Sequence, residues 1–565
     1  MTEQSQRGDA VTPPYDDTPV QGTEDSVGKS ASVIGAITIA SRLAGFGRML
    51  VFAWAVGIIG IGTAYQSANA IPNLIFELVA GGALAALVVP LLSGPIAKHG
   101  RDTVNRITGA LLTWSLTILI PLGVIVALAA RQLVNLVAES EEINDTILSI
   151  GADMLVMFAP QIPLYGVAVI LTGVLQAHRR FAWPALAPLL SSITMMLVYV
   201  AYAILTGRTA TPDSVGQVPI LVLGLGTTLG VVVLAGCLFI PLRGLNLSLR
   251  PTWRMDAHIA AGLKALAIAG AITLGAQQIC QVVLIKLANL AGDGPVVIFT
   301  LSQNFFLLPW AVLAVPLATA AYPALSEAHA LDNPQRYNEV TAKTGRAIMI
   351  LSGLGVSALA GLALPIATVL TTIAPGEVSD ATRSFTLTLT GLSFGLIGYS
   401  LFAIYSRAMY AAGHPIRAAM ATAVGWAGAI IAAIALSAVM SDADRTLALA
   451  LGWSTGMTII GIALITVLVK TSGSEALRDM PRAALTTVCA SLLAITASQL
   501  VLNAWGEPEN IESSLLKGLI GGVIILIVYG LTAVAFDPRD LKAALRRRTD
   551  KSPNDDPPTE SNHKE

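Results

Sequence analysis

Fourteen apolar runs of membrane-spanning length punctuate this chain, near residues 31–59, 63–96, 105–130, 147–176, 183–206, 217–242, 257–290, 295–328, 345–373, 384–411, 415–440, 446–470, 482–504 and 513–536. A helix of about 20 apolar residues crosses about 30 Å of hydrocarbon, where every backbone polar group must be satisfied within the segment. The runs therefore predict an all-α polytopic membrane protein with 14 transmembrane helices. Composition agrees: 54% of the 565 residues are apolar and 12% are charged, against roughly 25% charged in a soluble domain. A water-soluble globule is excluded. The net charge of -1 leaves no electrostatic footprint for nucleic acid. Cys237, Cys280 and Cys489 lie inside apolar runs without metal-ligand spacing and read as core fillers.

Residues 1–30 are polar, acidic and Pro-containing, with neither the basic start nor the apolar stretch of a signal peptide, and predict a disordered tail. Residues 537–565 begin with Arg546, Arg547 and Arg548 and turn Pro/Asp/Glu/Ser-rich, which predicts a juxtamembrane anchor and a second disordered tail. Orientation follows from the connectors. The even-numbered ones carry Lys98, Arg101, Arg106, Arg179, Arg180, Arg243, Arg250, Arg336, Lys343, Arg417, Lys470 and Arg478; the odd-numbered ones carry few cations and many carboxylates, such as Glu139, Glu141, Glu377 and Glu507. The positive-inside rule places the even connectors and both termini in the cytoplasm. No outer connector is long enough to host an external domain, which disfavours a membrane glycosyltransferase.

The two halves share punctuation. Val89-Pro90-Leu91-Leu92-Ser93 resembles Tyr322-Pro323-Ala324-Leu325-Ser326 233 residues later, and the approach to Pro184 resembles the approach to Pro415 at an offset of 231. Matches at a nearly constant offset predict duplicated parallel lobes. The expected division is an N-terminal lobe over 31–242 and a C-terminal lobe over 257–470, each of six helices, followed by two extra helices over 482–536. Prolines recur within the spans (Pro72, Pro90, Pro121, Pro160, Pro309, Pro316), where they bend helices that line cavities or simply follow membrane usage.

Ionisable groups in hydrocarbon are costly and point to function. Arg42 lies 11 residues into the first run, roughly 16 Å deep, and Arg48 sits about 9 Å further along and about 120° round the helix. Two guanidiniums so placed can bracket a cavity and pair with phosphate oxygens, or one can pair internally with Glu77, the carboxylate that falls mid-membrane in the second run. Glu77 itself can be a structural partner, a switch or a proton site. Lys264 and Lys286 lie about 33 Å apart on one face of the seventh run, and either snorkel to the two interfaces or line the mouths of a cavity. Gln277, Gln278, Gln303 and Asn304 add uncharged groups that can meet sugars or phosphates, or pack between helices. Arg407 reads as an interface anchor. The candidate substrate-binding set is Arg42, Arg48, Glu77, Lys264, Gln303 and Asn304, with no catalytic or metal-ligating residue.

The run Ser41-Arg42-Leu43-Ala44-Gly45-Phe46-Gly47-Arg48, then Ala68-Asn69-Ala70-Ile71-Pro72-Asn73-Leu74, Val89-Pro90-Leu91-Leu92 and Gly173-Val174-Leu175-Gln176-Ala177 leading to Arg180-Phe181-Ala182-Trp183-Pro184, resembles the MurJ/MviN family. These are lipid II flippases within the multidrug/oligosaccharidyl-lipid/polysaccharide exporter superfamily. The likeness returns at Leu308-Pro309 to Ser326 and at Arg407 to Pro415, and is closer to actinobacterial members, without the kinase-like extension of their long forms. It implies a two-lobed alternating-access transporter in the bacterial cytoplasmic membrane, moving a polyprenyl-diphosphate-linked peptidoglycan precursor to the outer leaflet for cell-wall synthesis. The family's first-helix arginines map onto Arg42 and Arg48. Its acidic position at the start of the second helix falls on Thr63, an arginine later in that helix on Glu77, and its eighth-helix arginine on Asn304.

Expected partners are the lipid-linked precursor, membrane lipids and the cell-wall synthesis machinery. No cofactor is expected; without a phosphate-binding loop, the membrane potential or an ion gradient would drive cycling, at about 2.3 kcal/mol per charge per 100 mV. The last two helices would form a groove for the prenyl tail. Two alternatives stand beside this reading: a flippase for another lipid-linked glycan, and a cation-coupled drug or solute antiporter.

Overall fold

Long apolar runs without a breaker become helices because each N–H then finds its carbonyl inside its own segment. The computed structural model describes residues 22–79, 88, 92, 96, 101–141, 143–245, 247, 250–253, 257–375, 380–506 and 510–536, with the backbone alone described at 22–36, 39, 101 and 257–269. Helix α1 spans Gly22–Ala55. It begins inside the stretch that composition assigns to a tail, because no proline lies between Pro19 and Pro72 to stop it. The rest of that tail, and the C-terminal tail at 537–565, lie outside the described residues.

In the N-terminal half, α1 is followed by α2 (Ile61–Leu78), α3 (Arg101–Leu128), the short α4 (Ala130–Ala138), α5 (Asp145–Phe158), α6 (Gln161–Ala177), α7 (Ala182–Thr206) and α8 (Gln217–Gly236). The C-terminal half has α9 (Ala257–Asn289), α10 (Pro295–Pro309), α11 (Val315–Ala330), α12 (Pro334–Gly361), α13 (Ala363–Ile373), α14 (Ala381–Ser393), α15 (Leu396–Ala411), α16 (Pro415–Val439) and α17 (Arg445–Ser472), then α18 (Met480–Ala504) and α19 (Ile511–Phe536). Among the described residues, 11 helices are long and apolar enough to cross a membrane, or 12 when α5 and α6, bent by 41° at Ala159 and Pro160, count as one span. These match the expected third to fourteenth runs. Half of the expected second run, beyond Val79, lies outside the described residues apart from Val88, Leu92 and Ile96.

Side chains that would be core in water face outward here. Leu128 is 80% exposed and Val439 86%, as suits helices solvated by lipid tails. Helix pairings recur between the halves: α1 packs on α7 as α9 packs on α16, α7 on α8 as α16 on α17, and α3 on α6 as α12 on α15. The α16–α17 contact is the tightest in glycine terms. A Cβ at Gly456 would stand 2.3 Å from the Ala429 side chain, and one at Gly452 would stand 2.6 Å from the Ala433 Cα, so only glycine allows this approach. Helices α18 and α19 lean on α12 through Gly353, against Thr487 and Tyr529, whose hydroxyl donates to the Ile350 carbonyl.

The eighth run is not a uniform helix. Between α10 and α11 the residues Trp310–Ala314 form a π-turn, flanked by Pro309 and Pro316. Prolines lack the N–H that would continue the α ladder, and the wider turn accommodates the gap.

Candidate functional site

A cavity of about 410 Å³ lies between the two halves. Helix α1 contributes Arg48, Met49 and Phe52. Helix α2 contributes Gln66, Asn69, Asn73 and Glu77; α9 contributes Gln277, Gln278 and Gln281; α10 contributes Thr300, Gln303 and Asn304. Tyr165, Met195, Tyr199, Tyr399 and Trp453 complete much of the wall. The α2 residues follow a 3.6-residue period, which turns one helical face to the cavity.

Arg48 and Glu77 are the charged residues among the described lining. One Arg48 terminal nitrogen donates to the Met195 sulfur at 2.8 Å, while its Nε is buried without a partner. Beside it, the Tyr65 hydroxyl bonds Tyr199 at 2.9 Å and Thr227 at 3.1 Å, a fully buried cluster that fixes the wall. Glu77 is exposed to the cavity, and among the described residues no ion pair joins it to an arginine. The carboxamides are partly cross-linked. Gln281 and Gln303 exchange bonds at 3.3 and 3.5 Å, and Asn304 donates to the Thr300 carbonyl at 2.7 Å.

Of the residues singled out from sequence, Arg48, Glu77, Gln303, Asn304, Gln277 and Gln278 therefore share one cavity. Arg42 does not line it and is exposed. The Lys264 side chain lies outside the described residues. Lys286 instead reaches across the halves, its ammonium donating to the Glu139 carbonyl at 2.8 Å. Arg407 caps the Ala403 carbonyl of its own helix at 2.7 Å. Sequence reasoning passed over Gln66, Asn69, Asn73 and Gln281, because an uncharged polar side chain on a membrane helix carries no sign of which face it occupies.

The cavity is closed at the end where the described parts of the connectors, 56–60, 139–141, 143–144, 207–216, 290–294 and 374–375, meet. Asp293 is the centre of this seal. Its two carboxylate oxygens accept the Gly60 N–H at 2.8 and 2.7 Å and one accepts the Thr63 hydroxyl, while Thr63 Oγ1 accepts the Gly294 N–H at 3.1 Å. Gly60 precedes α2, so Asp293 caps from the other half a helix N-terminus whose free N–H groups and dipole favour an anion. Gly60 takes φ +59° with Pro212 against it, a conformation that glycine adopts without strain. Burial pushes the Asp293 carboxyl up from its ordinary range, against the Thr63 and Gly60 bonds that pull it down. Asp293 thus reaches Gly60 and Thr63 from the equivalent connector of the other half, 233 residues beyond Gly60.

Further bonds reinforce this end. Asn289 donates to the Ser67 hydroxyl at 3.2 Å and to the Val137 carbonyl at 3.0 Å. Arg208 lies over the Trp54 ring at 4.8 Å and donates to the carbonyls of Trp54 at 2.9 Å and Ile373 at 2.6 Å. Away from the seal, Phe46 and Phe305 meet edge to face across the halves at 4.8 Å.

A polar cavity between paired helical halves, sealed at one end, suits a transporter more than an enzyme, and solved transporter structures share the fold. The solved structure of lipid II flippase MurJ in an inward closed conformation superposes with a TM-score of 0.69 at 19% identity, covering 90% of this chain and 99% of that one. An inward-facing multidrug resistance MATE family transporter of the MOP superfamily gives 0.62 at 13% identity over 79% of this chain and 98% of that one. In sequence, the lipid II flippase MurJ of Burkholderia cenocepacia is 24% identical over 389 residues, 67% of this chain and 72% of the relative. The probable lipid II flippase MurJ of Rhizobium meliloti is 26% identical over 306 residues, 54% and 55% of the two chains. The family model described as lipid II flippase MurJ matches residues 52–514, and the chain belongs to that family.

Proposed function

We propose that the chain flips lipid II, a polyprenyl-diphosphate-linked peptidoglycan precursor, from the inner to the outer leaflet of the cytoplasmic membrane by alternating access. The observation that carries this reading is the family match joined to a polar inter-half cavity with an arginine in its wall and a hydrogen-bonded seal at one end. The positive-inside rule puts that seal outside and both termini in the cytoplasm, so the cavity receives its ligand from within. The recurring helix pairings support two six-helix lobes that rock against each other, with α18 and α19 flanking a groove for the prenyl chain.

Arg48 offers its unsatisfied Nε and its fork of donors to the diphosphate, and Arg42, exposed about 9 Å further along α1, is placed to guide the same group at the mouth. Glu77, Gln303 and Asn304 meet the sugars. No covalent step is involved; flipping is driven by the membrane potential or an ion gradient acting on charged substrate or site.

Depletion of the protein in its host, followed by an assay of which lipid-linked precursor remains on the inner leaflet, tests the proposal. Lipid II is expected to accumulate, and Arg48→Ala is expected not to relieve it although the variant reaches the membrane. Accumulation of a different lipid-linked glycan would reassign the substrate, and accumulation of none would overturn flipping.

A further inference from the structure

The cavity wall has an unusual polar chemistry. Three helices, α2, α9 and α10, place eight carboxamide side chains on it, against one cation and one anion among the described lining residues. Four of those carboxamides, Gln66, Asn69, Gln277 and Gln278, make no side-chain hydrogen bond among the described residues. Each presents both an acceptor and a donor pair to whatever enters.

Resting on the lipid II reading above, we propose that this cavity selects a lipid-linked glycopeptide whose peptide carboxyls are carried as carboxamides over one that carries them as free acids. Charge balance sets the preference. The diphosphate engages the arginine side of the site, at Arg48. The glycopeptide must then lie along the walls supplied by α2, α9 and α10, where Glu77 is the described charge. A stem carboxylate there would lose hydration and face a like charge, with no cation but the diphosphate-engaged Arg48 among the described lining residues, and both effects disfavour it. A stem carboxamide has the same shape and no charge. Its oxygen and NH2 pair reciprocally with the carboxamides of the wall, and sugar hydroxyls, which also donate and accept, are served by the same groups. Rejection of the acid and acceptance of the amide thus come from one set of residues, an unfavourable charge acting beside a matched hydrogen-bond pattern.

The test uses the full chain in detergent or nanodiscs and two short-chain polyprenyl-diphosphate disaccharide-peptides that differ only in having carboxylates or carboxamides on the peptide. The wild type is expected to bind the carboxamide form at least tenfold more tightly. Glu77→Gln is expected to narrow the difference by raising affinity for the acid form. That gain of binding cannot come from a misfolded protein. Equal affinities in the wild type, or preference for the acid form, would overturn this inference while leaving lipid II flipping intact. A ratio that Glu77→Gln leaves unmoved would overturn its electrostatic basis. Binding of neither probe would count against the lipid II reading itself.

Discussion

The two ends of the interface between the halves are built from different materials. At the Gly60 end, hydrogen bonds accepted by Asp293 and donated by Asn289, Lys286 and Arg208 cross from one half to the other. Toward the cavity and beyond it, the described contact of note is the Phe46–Phe305 ring pair. Directional bonds hold one geometry and release it all at once when their partners part. Ring contacts slide. The difference teaches that the sealed end is a latch with discrete states, whereas the other side can yield gradually to a ligand of variable shape.

Asp293→Ala should break the contrast most severely. It leaves the Gly60 N–H and the Thr63 hydroxyl without their acceptor, at about 1–3 kcal/mol for each buried donor. The closed form should lose roughly 3 kcal/mol, about a hundredfold in its population ratio. In a background without the three native cysteines, a thiol placed at the buried Ala64 should become reactive from the outside. Asn289→Leu should follow at about 2 kcal/mol, since it strands the Val137 carbonyl, and the same thiol should report a smaller gain. Arg208→Gln should cost about 1 kcal/mol, because the guanidinium is only half-buried and water can replace its bonds.

Phe46→Ala should sharpen the comparison instead. The ring pair is worth about 0.5–1.5 kcal/mol, and its loss should widen access to the cavity from the cytoplasmic side without exposing the Ala64 thiol outside. The smallest effect is one of pH. Because the carboxyl of Asp293 is raised in the closed form, closing takes up a proton. This contribution is fully present below the ordinary carboxylate value of about 3.9 and is lost as pH rises through the raised one. Acidifying the outer side should therefore lower Ala64 thiol reactivity in the wild type by more than thiol protonation alone accounts for, and Asp293→Asn should leave only the fall due to the thiol itself.

Much of the frame was legible in the sequence because a bilayer imposes one rule on every span. Runs three to fourteen could be placed by hydropathy alone. Arg48 and Glu77 were legible for a related reason, as charges are rare at that depth. The face that Arg42 takes was not legible, because depth along a helix leaves open which side faces lipid, headgroups or cavity; the structure leaves it exposed, outside the cavity wall. Asp293 and Arg208 escaped notice because they lie in connectors, where a charge reads as solvated. Their role depends on a partner in the other half, and nothing local to residues 290–294 or 207–216 announces it. The carboxamides of α2 were hidden by their neutrality within the segment Ala68-Asn69-Ala70-Ile71-Pro72-Asn73.

The π-turn at Trp310–Ala314 has a mechanical consequence for all of this. Asp293 stands just before α10, Gln303 and Asn304 stand in its middle, and the π-turn closes it. Latch, ligand contacts and compliant joint thus follow one another along a single rod about 20 Å long. A backbone already out of α register can take up bending by passing its extra residue along the ladder, so the rod can tilt about its far end without melting. Small strains made by a ligand at mid-length would then be magnified at the tip that carries Asp293, as a lever magnifies displacement away from its pivot.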